Sequence, residues 1–534
     1  MSVNFCSNEQ LNTGRSIKDI FLFQVVLTDL LHLNFNSTLM RKCLLLAVSI
    51  LTFFISLTGC SKDSTKSKFQ LTVEVTEGGS VDNIGGIYDQ GTKVILLATP
   101  DPGYVFKYWE GIESISPKIE ISINDDILLK AVFALNVKSI NDSVPYIVED
   151  LVDKSGYRFF IENGGTECYL VDELGNMIHQ WEFDMNLGQD IELSDDGNLF
   201  GMFKIEDPTF SFGGASGLIR RIDKNSNLLW EYRIADDDNI SHHDLEIMPN
   251  GNLLVLVWQR ITSASAQEVG FETTEDIFVE KIIELNPSKD EIVWEWNSWD
   301  HIVQNKNILI SNYGEPQDHP EKIDILYNFN SDVHQFVAQG DIMHANGLSY
   351  NPDLDIIAIS VNFYSEVWFI DHSTTTEESK TDTGGNYQRG GDLIYRLGNP
   401  KTHGKSNDQL LDFNHHPSFV NTESSTNLLI FNNNNTEEIS KIMEFRLPDL
   451  NDEGILENNP ELIFLFSDND LFHPRVSGAV RLPNGNTLIC EGDYGYWEVN
   501  PNGKVIWKYD GKGQSFWRGL FYPKDSEAII SLNL

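Results

Sequence analysis

Three histidines recur at one position of a repeated segment. Gln189-Asp190-Ile191-Glu192-Leu193 and the turn Ser194-Asp195-Asp196-Gly197-Asn198 align with His243-Asp244-Leu245-Glu246-Ile247 and Met248-Pro249-Asn250-Gly251-Asn252. Ser477-Gly478-Ala479-Val480-Arg481-Leu482-Pro483-Asn484-Gly485-Asn486 matches both. Residues 415–420 fit the same frame with a longer turn, residues 344–353 fit with one residue of slack, and residues 517–523 close the series. The shared first position is Gln189, His243, His344, His415, Ser477 and Trp517. A lone histidine at a strand start is ordinarily satisfied by a backbone carbonyl. Three of the chain's thirteen histidines at one equivalent position, beside an amide and a hydroxyl, point instead to polar groups converging on one site. Neutral imidazole is a nucleophile near neutral pH, and an N–H-bearing imidazole donates to oxygens and moves protons.

Convergence requires elements that bring distant positions together. The aligned segment is an apolar strand before a Pro-Asn-Gly type turn. A strand pair of aromatic and acidic character follows it. That pair recurs as Tyr169-Leu170-Val171 with Trp181-Glu182-Phe183, as residues 219–223 with Trp230-Glu231-Tyr232, and as Ile282-Ile283-Glu284 with Trp294-Glu295-Trp296. It returns as Val367-Trp368-Phe369 with Ile394-Tyr395-Arg396, as Met443-Glu444-Phe445 with Ile463-Phe464-Leu465, and as Trp497-Glu498-Val499 with Ile506-Trp507-Lys508. No copy buries both its faces alone, so the copies must stack. Units of roughly 50 to 70 residues favour blades over the rungs of a linear β-solenoid. The expectation is an all-β chain whose residues 140–534 form a six-bladed β-propeller, the first strand of each blade facing the axis.

Several stretches resemble motifs of the bacterial arylsulfotransferase family. They are residues 242–252, Asp341-Ile342-Met343-His344-Ala345-Asn346, residues 391–400, residues 477–489, and Trp294-Glu295-Trp296 through Trp299-Asp300-His301. The resemblance covers about residues 140–534. It implies transfer of a sulfuryl group from an aryl sulfate to a phenol, without a nucleotide donor or other cofactor, by ping-pong through a sulfohistidine. By match to the family's Gln-His-Asp motif, His415 in Asn414-His415-His416-Pro417 carries the group, with His416 one residue away as the alternative. His243, His344 and Asn346 match the family's other channel positions. Asn362 stands where the family commonly has arginine, and His416 where it has aspartate. Arg475 and Arg518 flank ring positions and are candidate replacements for that cation, with structural salt bridging equally open for each. Substrate contacts are expected from Asn362, His416, Ser477, Arg475, Arg518 and Gln189. Phe363, Tyr364, Trp258 and Trp517 are candidates to stack on an aromatic donor, with core packing open for each.

The rest of the chain bounds the setting. A formal charge of -42 repels phosphate backbones and excludes nucleic acid as a partner. It also means that an anionic substrate needs a pocket of local hydrogen-bond donors. Met40-Arg41-Lys42, an apolar run to Ser56, and Leu57-Thr58-Gly59-Cys60 read as a lipoprotein signal, residues 40–59, with Cys60 lipidated. Residues 1–39 then form an upstream extension ahead of Met40 as the native start. Residues 60–68 are a polar linker. Residues 69–135 read as a small β module resembling the internalin B-repeat, a spacer without chemistry. The expected location is exported and lipid-anchored to a bacterial membrane, periplasmic or at the cell surface. No cysteine spacing suggests a metal. Cys168 and Cys490 are either a disulfide or two buried thiols. Two other functions fit the same features: a non-catalytic surface propeller that binds a glycan, peptide or phenolic ligand, and a hydrolase that uses water as acceptor.

Overall fold

A computed structural model describes residues 66–328, 337–422, 425–450, 456 and 459–534. Residues 1–39 and 40–59, expected to be an upstream extension and a signal peptide, and Cys60 lie outside the described residues. Two compact units are present. In the first, Lys68–Val75 up to Thr72 pairs antiparallel with Gly85–Asp89. In the second, Tyr104–Glu110 pairs with Ile127–Leu135 from Leu128 onward and Gly79–Val81 pairs with residues 98–100, and the same unit holds the large β structure of the repeats.

Among the described residues the repeats form antiparallel sheets of four neighbouring strands, the second and third joined by one parallel bridge between Gln189 and His243 and the last extended by Tyr146–Ile147. The second runs Leu187–Leu193, Leu199–Lys204, Gly217–Ile222, Leu228–Arg233, and the third Asn239–Ile247, Leu253–Ile261, Ile277–Asn286, Glu291–Asn297. The fourth starts at Ala345–Asn351, the fifth at His415–Asn421 and the sixth at Gly478–Arg481. The first sheet is made from both ends of the repeat region. Phe516–Pro523 pairs antiparallel with Gly156–Glu162, in a register that sets Pro523 opposite Gly156.

Period-two patterning explains why these sheets stack. Along Leu253–Ile261, Leu253, Val255 and Val257 pack toward the second sheet while Leu254 and Leu256 pack toward the fourth. The same split recurs at Ile357 and Ile359 against Ile356 and Ala358, and at Leu428 and Ile430 against Leu429 and Phe431. Leu488 packs with Phe160 and Tyr169, so the sixth sheet meets the first. Phe159 and Ile161 on the opposite face meet Leu199 and Phe203 of the second. Each middle strand is therefore apolar on both faces, and each such buried side chain stabilises the stack by about 1.5–3 kcal/mol. The cores close into a ring, which is a β-propeller and not a linear solenoid.

Cys168 and Cys490 are free buried thiols. Cys168 belongs to the core between the first and second sheets, Cys490 to that between the sixth and first. The first sheet's own thickness separates them, and the disulfide alternative is set aside.

Candidate active site

The ring position is marked by irregular backbone. Register slips between Leu187 and Ile191, Ser241 and Leu245, Ala345 and Gly347, His415 and Ser418, and Phe516 and Gly519. Such bulges re-aim side chains at functional sites. Positive φ occurs at Gln189 (126°), His243 (55°), His344 (55°), His416 (50°) and Ser477 (85°). For residues other than glycine this conformation costs about 1 kcal/mol or more and persists only where the surroundings impose it. In the fifth copy the left-handed residue is His416, one beyond the aligned His415. The bulge thereby sends the two neighbouring imidazoles to different places.

A cavity of about 480 Å³ lies at this level, lined among others by Gln189, His243, His344, Asn362, His415 and Trp517. That falls within the size range of small-molecule sites. The His243 and His344 rings are 4.7 Å apart, and His344 stacks on Phe363 at 4.7 Å. The Trp517 ring lies 5.8 Å from His243 and 6.4 Å from His415.

Each imidazole is held differently. His415 Nδ1 lies 2.7 Å from Asn433 Oδ1 and 3.3 Å from the Phe413 carbonyl. The Asn433 amide is fixed in turn, because its Nδ2 donates to the carbonyls of His473 (2.7 Å) and Val476 (3.1 Å). Both partners of His415 Nδ1 are acceptors, so Nδ1 carries the proton and Nε2 the lone pair. Burial pulls the His415 pKa down to about 3, against the Asn433 hydrogen bond. His344 Nδ1 lies 2.5 Å from Asp341 Oδ2, and Asp341 Oδ1 accepts the His344 backbone N–H. Burial, then the neighbouring His344, holds His243 well below the usual imidazole range. His473 and Arg475 also line the wall. Burial lowers His473, whose Nε2 sits 3.4 Å from Asp493.

Four expected site residues do not line the cavity. Arg518 is 3% exposed, with Nη1 at 2.8 Å from Asp244 Oδ1 and its guanidinium over the Trp517 ring. It is a neutralised cation within the ring. His416 packs against the sixth sheet, where its Nδ1 accepts the Ala479 N–H at 3.2 Å. Ser477 Oγ accepts the Gly492 N–H at 3.1 Å. Asn346 is fully buried and donates to the Asn414 carbonyl at 3.0 Å, because the third ring position already turns at His344. Of the aromatic candidates, Phe363 and Trp517 line the cavity, whereas Trp258 and Tyr364 are core residues packed on His242 and Trp368. Among the described residues no group of three or more metal-type side chains is arranged to hold an ion.

Sequence reasoning gave no role to Asp341, Asn433 or His473. Asp341 opens the motif Asp341-Ile342-Met343-His344-Ala345-Asn346, three residues before His344. Asn433 was hidden in the run Asn432-Asn433-Asn434-Asn435, where composition suggests only a loop.

Fold and site together define a β-propeller protein with an axial cavity lined by imidazoles. The chain belongs to the Arylsulfotransferase (ASST) family, whose model matches residues 192–512. Family membership supports a sulfotransferase enzyme, with aryl sulfates and phenols as its substrate classes. Residues 69–137 match the Divergent InlB B-repeat domain. No curated protein matches the chain. Similar solved structures include the β-propeller domain of Cps50 (Swd1) from Myceliophteria thermophila, with 10% identity, 73% of this chain and 97% of that one covered, and a TM-score of 0.32. A putative 6-phosphogluconolactonase from Bacteroides fragilis has 12% identity, coverages of 69% and 98%, and a TM-score of 0.34. Likeness at this level says nothing of function.

Proposed function

We propose that the protein moves a sulfuryl group from an aryl sulfate to a phenol, in two steps through His415. The observation that carries this reading is the Asn433 amide, locked by two carbonyls and accepting His415 Nδ1–H at 2.7 Å. It leaves His415 Nε2 as a neutral nucleophile, kept unprotonated by burial. Sulfuryl transfer resembles phosphoryl transfer in needing positioning and charge stabilisation more than covalent work. His243, the His344 held by Asp341, the Asn362 amide and Arg475 supply donors for the sulfuryl oxygens. Phe363 and Trp517 offer flat surfaces for the aryl ring. Gln189 completes the wall.

The test is peptide mass analysis after brief exposure to 4-nitrophenyl sulfate. One SO3 unit is expected on His415, and none on His416. An unlabelled protein with an intact cavity would sink the proposal. The neutralised Arg518 and the Asn362 substitution favour one second reading, a propeller that binds a phenolic ligand without turning it over. In that case ligand binding persists while no aryl sulfate is consumed. Export and lipid anchoring at Cys60 are proposed on the Leu57-Thr58-Gly59-Cys60 pattern alone.

A further inference from the structure

His242 has no part in the steps above, yet it is fully buried beside two partners. Its Nδ1 lies 2.9 Å from His243 Nδ1, and its Nε2 lies 3.1 Å from Glu280 Oε2, with both side chains wholly enclosed. Its ring lies flat on Trp258, with centroids 3.8 Å apart and planes 5° apart. Glu280 is itself placed, since its Oε1 accepts the Ala345 N–H at 2.7 Å. At the other end, the far side of the His243 ring meets the cavity wall: a Cβ on Gly214 would come within 2.2 Å of His243 Nε2. Glu280, His242 and His243 thus stand in file from the interior to the cavity, with His242 Nε2 and Glu280 Oε2 off the hydrogen-bond axis at 3.1 Å and neither atom hydrogen-bonded to any other group.

We infer that Glu280 and His242 are a proton relay that lets His243 act as general acid to the leaving phenolate and general base to the accepting phenol. This rests on the sulfuryl-transfer reading. Burial first, then the nearby Asp341 carboxylate, favours a protonated Glu280, and His344 opposes it. His344, Asp341 and Asp244 are the ionisable groups facing His242. In the resting arrangement His242 Nδ1–H donates to His243 Nδ1, His243 holds its proton on Nε2, and the Glu280 Oε2–H stands 3.1 Å from His242 Nε2, with which a small turn of the carboxyl aligns it.

When His415 Nε2 bonds to sulfur, the aryl oxygen–sulfur bond breaks and its electron pair stays on the aryl oxygen. That oxygen takes the Nε2 proton of His243. His243 Nδ1 takes the proton of His242 Nδ1, and His242 Nε2 takes that of Glu280. The sum is a phenol, a sulfated His415 and a Glu280 carboxylate. The acceptor phenol reverses every proton shift as its oxygen attacks sulfur. The relay supplies and takes back the proton without free hydronium or hydroxide.

The test compares single-turnover loading of His415 from phenyl sulfate, a poor leaving group, and 4-nitrophenyl sulfate, which departs without help. Glu280→Gln keeps the shape of the side chain, and His242→Phe keeps the stack on Trp258. Each is expected to slow phenyl sulfate by about 100-fold, the usual worth of positioned acid catalysis, and 4-nitrophenyl sulfate only slightly. Equal losses on the two donors would mean a structural role and overturn the relay. Histidine-labelled NMR of the wild type gives a second readout: one exchange-protected imidazole proton shared by His242 and His243, lost in His242→Phe. Its absence would also overturn the relay. A wild type that transfers no sulfate at all defeats the function itself and the acid role with it.

Discussion

His415 is buried and His372 half-buried, and they end in opposite states. His415 is held by an amide oxygen and a carbonyl, and its pKa falls to about 3. At His372 burial also works against the charge, yet hydrogen bonds to Asp355 (2.7 Å) and Glu284 (3.2 Å) push the pKa up to about 9. Asp355 belongs to the fourth sheet and Glu284 to the third, so a charged His372 staples two neighbours of the ring. Burial alone does not set the protonation state; the charge of the partner does. The protein uses carboxylates where it needs a fixed cation and an amide where it needs a lone pair.

The sharpest way to break this contrast is at His415, the proposed nucleophile. His415→Ala is expected to reduce sulfuryl transfer by at least about 10⁴-fold, measured as turnover of 4-nitrophenyl sulfate with phenol as acceptor. Asn433→Asp gives His415 the kind of partner that His372 has. Wild-type loading of His415 is expected to continue at pH 5, where a free imidazole with a pKa of about 6.5 is mostly protonated. In Asn433→Asp it should fall about 100-fold at that pH and recover above neutrality, because a charged partner raises the His415 pKa. A pH profile unchanged from wild type would refute the assigned role of Asn433.

The converse change is Glu284→Gln, expected to destabilise the fold by about 2 kcal/mol at pH 7, read from chemical unfolding. Folded His372 has a raised pKa, so its contribution is complete below about 6.5 and is lost as pH rises through about 9. The gap between wild type and Glu284→Gln should therefore shrink by pH 10. His415 has the opposite sign. Its lowered pKa costs stability as pH falls from about 6.5 toward about 3, where the unfolded chain binds the extra proton. The smallest effect is expected at Gly214→Ala. Its φ of +91° and the contact with His243 should lower turnover about tenfold without abolishing it, measured beside Gly213→Ala.

The ring was legible in the sequence because stacking leaves a repeating mark. Apolar strands before Pro-Asn-Gly turns and the recurring Trp-Glu-Tyr pairs fall on the strands that form the sheets. Side-chain direction inside the bulges was not legible. His415 and His416 are adjacent and alike in type, yet one lines the cavity and the other accepts the Ala479 N–H. A single left-handed residue decides which, and no periodicity reports it. Partners were hidden for a different reason. Asn433 and Glu280 meet their histidines across strands and loops, through contacts that no local spacing encodes. The sequence left Arg518 open as a replacement cation or a salt-bridge partner, because the two buried acids that claim it, Asp190 and Asp244, read as ordinary repeat residues.

The pairing of Pro523 with Gly156 has a consequence for how the molecule tolerates rearrangement. Backbone hydrogen bonds and packed side chains such as Phe159 on Tyr522 seal the circle there, with the two backbones side by side. A peptide link joining them, with a new opening at the exposed turn by Asn502, would leave every sheet with its original neighbours. Circularly permuted genes should therefore yield the same imidazole-lined hollow, and a chain nicked once in such a turn should hold together as two interlocked pieces.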